Sequence, residues 1–186
     1  MKFNTYSELE GLHSELSPST YHWIDYDDDK FDRVIRTRMQ TLRGTRHHEI
    51  ACTLIAERIK LPDTEQTLNR FVNDAIGLRM QPEQILFYSQ FAFGTADAIQ
   101  FRDNLLRIHD LKTGTTRTSM TQLYCYAALF CLEYQVNPVN IEIELRIYQH
   151  DKVRIEIADL DKVVYIMDRY VVRSRRIKEL RAEMIQ

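Results

Sequence analysis

The stretch FGTADAIQFRDNLLRIHDLKTG, residues 93–114, sets acids at Asp97 and Asp110 and a lysine at Lys112. At its centre lies Asp103-Asn104, a pair that tolerates the left-handed backbone of a two-residue hairpin turn. A turn there pairs Arg102 with Leu105, Phe101 with Leu106, Ile99 with Ile108, and Asp97 with Asp110. Successive side chains of a strand alternate faces, so Lys112 is expected to share the face of both acids. Gln100, Arg107 and His109 then form an opposite, polar face. A slip of one residue would invert every side chain and destroy this agreement.

Directly opposed side chains stand about 5 Å apart at Cβ. Two carboxylates at that distance repel each other unless they share a proton or hold a divalent cation through oxygen ligands. A neighbouring ammonium suits a negatively charged substrate. A cation that polarises a phosphate and activates water, assisted by a lysine, is an arrangement fitted to phosphodiester hydrolysis. The plain alternative is an exposed ion pair between Asp110 and Lys112 on an ordinary hairpin.

Outward from the hairpin, QILFYSQFAF opens a β-rich centre, with Pro82 ending a helical region before it. Within that region the apolar residues from Lys30 to Ile59 recur at helical spacing, interrupted at Gly44. GTRHHEIACTLIAERIK reads as a helix opening near Gly44 or Thr45, with Ala51, Leu54 and Ile55 inward. Residues 64–77 read as a further helix. The N-terminal piece carries a turn signal at Ser17-Pro18-Ser19, then an amphipathic segment with Tyr21 and Trp23. The acidic run Asp25 to Asp29 lacks the alternating ligands and glycine of an EF-hand loop and reads as a solvated turn.

On the other side, SMTQLYCYAALFCLEYQ returns to helix, and Ser119 with Gln122 fits a capping box. NIEIELRIYQ alternates as a strand, with DKVRIEIA as its hairpin partner across His150-Asp151. Strand, helix, strand from Leu105 to Tyr148 is the signature of a parallel crossover. The segment Asp159 to Gln186 is helical, with Val163, Tyr170, Ile177 and Met184 at heptad spacing. The fold class is therefore mixed α/β.

The 186 residues, 44% of them hydrophobic, suffice for one domain with a substantial core. A formal net charge of −2 argues against binding nucleic acid by overall charge, though a local basic groove is compatible with it. Cys52, Cys125 and Cys131 leave an odd count without C-x-x-C spacing, which speaks against a disulfide framework, a structural zinc site and a four-cysteine cluster. Neither a signal peptide nor a run of 18 apolar residues is visible, so a cytoplasmic protein is the expectation.

GTAD, then HDLKTG, then QLYCYA together resemble the RecB-like branch of the PD-(D/E)-x-K nuclease superfamily. Its motifs run in the order G-x-x-x-H, G-x-x-D, D-x-K and Q-x-x-x-Y. Here they match Gly44 with His48, Gly94 with Asp97, Asp110 with Lys112, and Gln122 with Tyr126. With LSPSTYHWI and the C-terminal strand–helix end, the likeness covers nearly the whole chain and is nearest to phage-encoded RecB-like exonucleases, relatives of the CRISPR-associated ones. The acid of GTAD follows Ala96 instead of proline, a departure that the branch tolerates.

The resemblance implies a restriction-endonuclease-like core of α-β-β-β-α-β order in a single domain, 1–186. A helical region would span 1–82, the catalytic sheet and crossover helix 83–158, and the C-terminal helix 159–186. It implies a Mg²⁺- or Mn²⁺-dependent deoxyribonuclease, an exonuclease resecting linear DNA ends in phage recombination. A structure-specific endonuclease and a catalytically inactive DNA-binding module are the alternatives. His48, Asp97, Asp110 and the Leu111 carbonyl would ligate the metal; Asp97, Asp110, Lys112 and Gln122 would be catalytic, and Gln122 and Tyr126 would position DNA. The cysteine set of the iron–sulfur relatives is missing, so no cluster is expected. A phage single-strand annealing protein and further copies of the chain are the implied partners.

Several residues stay open at this level. His47, His48 and Glu49 are consecutive, and only one of three helical neighbours can face a site squarely. Glu83, ahead of the first strand, could join a metal site. Cys125 and Cys131 read as small apolar packing residues. The run from Arg173 to Arg181 fits a DNA-backbone grip, a solvated helix face or an oligomerisation tail.

Overall fold

Three strands, β1 (Gln81–Ser89), β2 (Ala92–Arg102) and β3 (Leu105–Leu111), follow one another as antiparallel neighbours. The computed structural model that shows them describes residues 25–115 and 118–184, apart from the side chains of 38–45. The Ser17-Pro18-Ser19 turn, the Tyr21/Trp23 segment and LSPSTYHWI lie outside the described residues. Asp103 and Asn104 have φ of 52° and 58° and close β2 onto β3. The pairs Arg102–Leu105, Phe101–Leu106 and Ile99–Ile108 follow in the expected register.

The chain forms two compact units, Met1–Arg43 and Gly44–Gln186. What is described of the first is helix. The helix α1 (Asp28–Ala56) starts there, where the Asp27 carboxylate accepts the Lys30 N–H at 2.7 Å and Asp28 and Asp29 occupy the first turn. Negative charge at a helix start is favourable against the helix dipole. The acidic run therefore opens a helix and is not a solvated turn. The helix also runs through Gly44 instead of beginning there. One glycine costs a long helix only about 1 kcal/mol.

In the second unit, α2 (Thr67–Gly77) ends five residues before Pro82, which lies inside edge strand β1, where a missing N–H costs no ladder bond to a further strand. After β3 the chain crosses through α3 (Thr121–Glu133) to β4 (Glu142–Gln149), parallel to β3. A hairpin at His150 and Asp151, both left-handed, leads to β5 (Lys152–Ile157). The result is a five-stranded mixed sheet in the order β1-β2-β3-β4-β5, flanked by helices and followed by α4 (Leu160–Glu183). This architecture is compatible with a restriction-endonuclease-like core. Among the described residues no helix is long and apolar enough to cross a membrane.

Alternation along the strands divides two cores. Leu106, Ile108, Ile143 and Leu145 pack with Leu123, Ala127 and Ala128 of α3, all fully buried. Burial of each large aliphatic side chain contributes about 1.5–3 kcal/mol. The opposite face meets α2 and the end of α1 through Ala98, Leu111, Tyr148, Phe71, Val72 and Ile55. His109 belongs to this second layer and is fully buried, so the face expected to be polar is largely a core. Arg107 and Gln100 stay half-buried at its margin, hydrogen-bonded to each other.

The capping box at Ser119 and Gln122 does not form. Ser119 Oγ accepts the Thr121 N–H at 3.1 Å, while Gln122 turns away to another partner. On α4, Asp159 caps the first turn by accepting the N–H groups of Asp161 and Lys162. The heptad set divides along the helix: Val163 is buried and Tyr170 half-buried, whereas Ile177 and Met184 are exposed.

Candidate metal centre

Strict alternation fails once in β2, and the failure makes the site. Gly94 turns its missing side chain toward Tyr126 of α3, and Phe101 packs on Phe130 of the same helix. Seven residues separate them, an odd number that unbroken alternation would place on opposite faces. The break falls at Asp97. The ladder to β1 includes Pro82–Ala98 and Gln84–Ala96 but omits Glu83–Asp97 between them. The ladder to β3 stops at Ala98–His109, one pair before Asp97–Asp110. Glu83 has a φ of 47°, a strained conformation for a residue with a side chain. Three acids thus lie in line across β1, β2 and β3 where the backbone pairing opens.

Asp97 replaces the lost ladder bonds with its side chain. Its Oδ2 accepts the Leu111 N–H at 2.7 Å, and its Oδ1 lies 3.3 Å from His48 Nδ1. Of the three consecutive candidates on α1, His48 is the one that faces the acid. His48, Glu83 and Asp97 each offer a ligand atom within 4.8 Å of the others. Asp110 stands outside that group but acts on it electrostatically. Leu111 contributes its N–H to Asp97 and its side chain to the second core.

Asp110 is 1% exposed, with Oδ2 3.0 Å from Lys112 Nζ and Oδ1 unpartnered. Burial foremost, then the charge of Asp97, pushes its carboxyl up to about 6 against the opposing pull of Lys112 and His48. Burial and Asp97 likewise raise Glu83, while the hydrogen bond to Asp97 is the main cause that raises His48. Burial is the larger cause for Asp110 and Glu83, and the charge of Asp97 contributes to all three. Lys112 also donates to Gln122 Oε1 at 2.8 Å, and Gln122 Nε2 donates to Tyr126 Oη at 3.0 Å. The Tyr126 ring lies 3.1 Å from where a Gly94 Cβ would stand.

The four motif pairs are thereby cross-linked in space. Asp97 joins His48, Lys112 joins Gln122, and Gly94 makes room for Tyr126. Glu83, left open on the sequence alone, lies in the group with His48 and Asp97. Its signal was the β1–β2 hairpin around Gln90 and Phe91, whose register sets Glu83 opposite Asp97. His109 lies behind the site with Nδ1 3.2 Å from Tyr148 Oη, which donates to Asp74 at 2.7 Å. Burial first, then Arg146 and Arg107, pushes its imidazole down to about 3, so it is neutral and structural. Cys131 is buried and Cys125 half-buried, as packing residues are.

No protein-family model and no curated protein matches the sequence.

The donor set fits a divalent cation. One imidazole nitrogen and carboxylate oxygens are ligands that divalent cations accept. Oδ1 of Asp110 is buried without a hydrogen-bond partner, and burial with the charge of Asp97 raises both Asp110 and Glu83.

Proposed function

We propose that this protein is a Mg²⁺- or Mn²⁺-dependent DNA nuclease that hydrolyses phosphodiester bonds and resects linear DNA from its ends. One observation carries the reading: the His48–Glu83–Asp97 group adjoins the Asp110–Lys112–Gln122 chain at the point where sheet pairing opens. A scaffold that only binds DNA gains nothing from a buried, half-unpartnered carboxylate, which costs stability. A cation held by His48, Glu83 and Asp97, with Asp110 beside it, would supply Lewis-acid polarisation of the phosphate and a more acidic water.

The chain's own groups do the rest. Lys112 spends two of its ammonium protons on Asp110 and Gln122, which leaves the third for a non-bridging phosphate oxygen or the attacking water. Gln122 fixes the direction of that ammonium, and Tyr126 fixes Gln122. Asp97 raises the pKa of His48, and only the neutral imidazole can act as a ligand, so metal binding should weaken as pH falls.

The test is digestion of a linear end-labelled duplex beside the same duplex closed into a circle, with Mn²⁺, with chelator, and with Lys112→Ala. Loss of the linear substrate alone, abolished by chelator and reduced by about 10²-fold or more in Lys112→Ala, is the expected outcome. Cleavage of the circle would make the enzyme an endonuclease. Failure to cut either would overturn the reading.

A further inference from the structure

A groove of about 390 Å³ lies between α4, α3 and the end of the β1–β2 hairpin. Cys125 lies on its floor, next to Tyr126 in the chain, and Tyr170 of α4 hydrogen-bonds to that cysteine. Phe91 forms the hairpin side. Arg169 and Arg173 form the α4 side, one helical turn and about 6 Å apart along the axis. Residues 169–178 carry Arg169, Arg173, Arg175, Arg176 and Lys178 and no acid.

These cations are not equivalent. Arg176 is held by Glu179 at 3.2 Å and Glu183 at 3.3 Å, and Arg181 lies 4.5 Å over the Phe91 ring. Among the described residues, Arg169 and Arg173 have no acidic partner. An apolar-floored groove thus has two unneutralised guanidinium groups along one wall. Its floor residue Cys125 is the chain neighbour of Tyr126, which is linked through Gln122 to Lys112. A guanidinium is the side chain best matched to phosphate oxygens.

We propose that this groove seats the sugar-phosphate backbone of the DNA that enters the metal centre, with Arg169 and Arg173 each contacting a phosphate. The inference rests on the nuclease reading above for the direction of the strand, but its test does not require turnover. Of the sequence's options for Arg173–Arg181, the backbone grip falls to Arg173 with Arg169 from outside the run, and Arg176 and Arg181 have structural partners.

The experiment is fluorescence anisotropy of a labelled blunt duplex with the full chain, in Ca²⁺ to prevent cleavage, over a series of salt concentrations. Arg169→Ala/Arg173→Ala should weaken binding about tenfold or more and flatten the slope of log affinity against log salt by about two. Arg169→Lys/Arg173→Lys, which retains both charges, should keep most of the slope. Arg175→Ala, outside the groove lining, serves as the control and should leave affinity and slope nearly unchanged. An unchanged slope in the double alanine variant, or an equal loss in Arg175→Ala, would overturn the assignment. Hydrolysis of bis(p-nitrophenyl) phosphate by the wild-type protein with Mn²⁺ reads the centre separately. Its absence, together with uncut DNA, would sink the nuclease reading while the anisotropy still decides the groove.

Discussion

Asp110 shows at the scale of one residue what the site costs. Its carboxyl titrates near 6 in the fold, against an ordinary value of 3.8. Between those values the folded state keeps a proton that the unfolded state has released. The associated stability is therefore full below the unfolded value and is lost as pH rises through about 6. A displacement of that size is worth about 3 kcal/mol. Asp110→Asn removes the penalty, so metal-free variant protein should be more stable than wild type at neutral pH by up to about that amount, and melt higher. The advantage should shrink as pH falls toward the ordinary carboxylate range. The same variant should lose Mn²⁺-dependent cleavage. Thermal melts across a pH series check the first point, and a melting point equal to or below wild type at neutral pH would contradict it.

Among elements, the decisive contact joins β2 to α3. Gly94 leaves 3.1 Å between its would-be Cβ and the Tyr126 ring, so a methyl group there forces the ring to give by a few tenths of an ångström. Tyr126 anchors Gln122, which anchors Lys112, and the displacement passes along hydrogen bonds of 3.0 and 2.8 Å. Gly94→Ala should lower kcat about tenfold, with stability changed by no more than about 1 kcal/mol. Because both positions act through one contact, Gly94→Ala and Tyr126→Ala together should cost less than the sum of each alone. Additive losses in a double-mutant cycle would show that the glycine serves only the strand.

For the molecule as a whole, binding of a cation at this centre would be linked to folding, because the candidate ligands come from α1, β1 and β2 and meet only when the second unit is folded. Ligand that binds only the native state stabilises it by about 2.7 kcal/mol at a hundredfold excess over Kd. In a unit of this size that shifts Tm by about 5–11 °C. Mn²⁺ should raise the wild-type melting point by such an amount and leave Asp97→Ala and Glu83→Gln almost unshifted. The comparison is between melts with and without metal for each protein. Asp97→Ala also strands the Leu111 N–H, which lowers its absolute stability by about 1–3 kcal/mol. A full metal shift in Glu83→Gln would remove Glu83 from the ligand set.

Local chemistry in the sequence determined the β2–β3 register, both left-handed hairpin turns, the β3–α3–β4 crossover and the assignment of Lys112 to the side of Asp110. Turn residues and period-two alternation are near-neighbour effects, legible without the rest of the chain. The pairing of Asp97 with Asp110 was legible only in part. Alternation assumes an unbroken ladder, and the strained backbone at Glu83 opposite Asp97 breaks it. Only tertiary structure could decide the remainder. His109 faces inward because α2 and α1 cover that side of the sheet, and His48 is chosen over His47 and Glu49 by where α1 meets Asp97. Gln122 abandons a cap because Lys112 lies within reach, and Glu83 enters the site through β1. Each of these outcomes depends on which distant element supplies a partner for a polar group or cover for an apolar one, and neither charge nor periodicity along the chain encodes that choice.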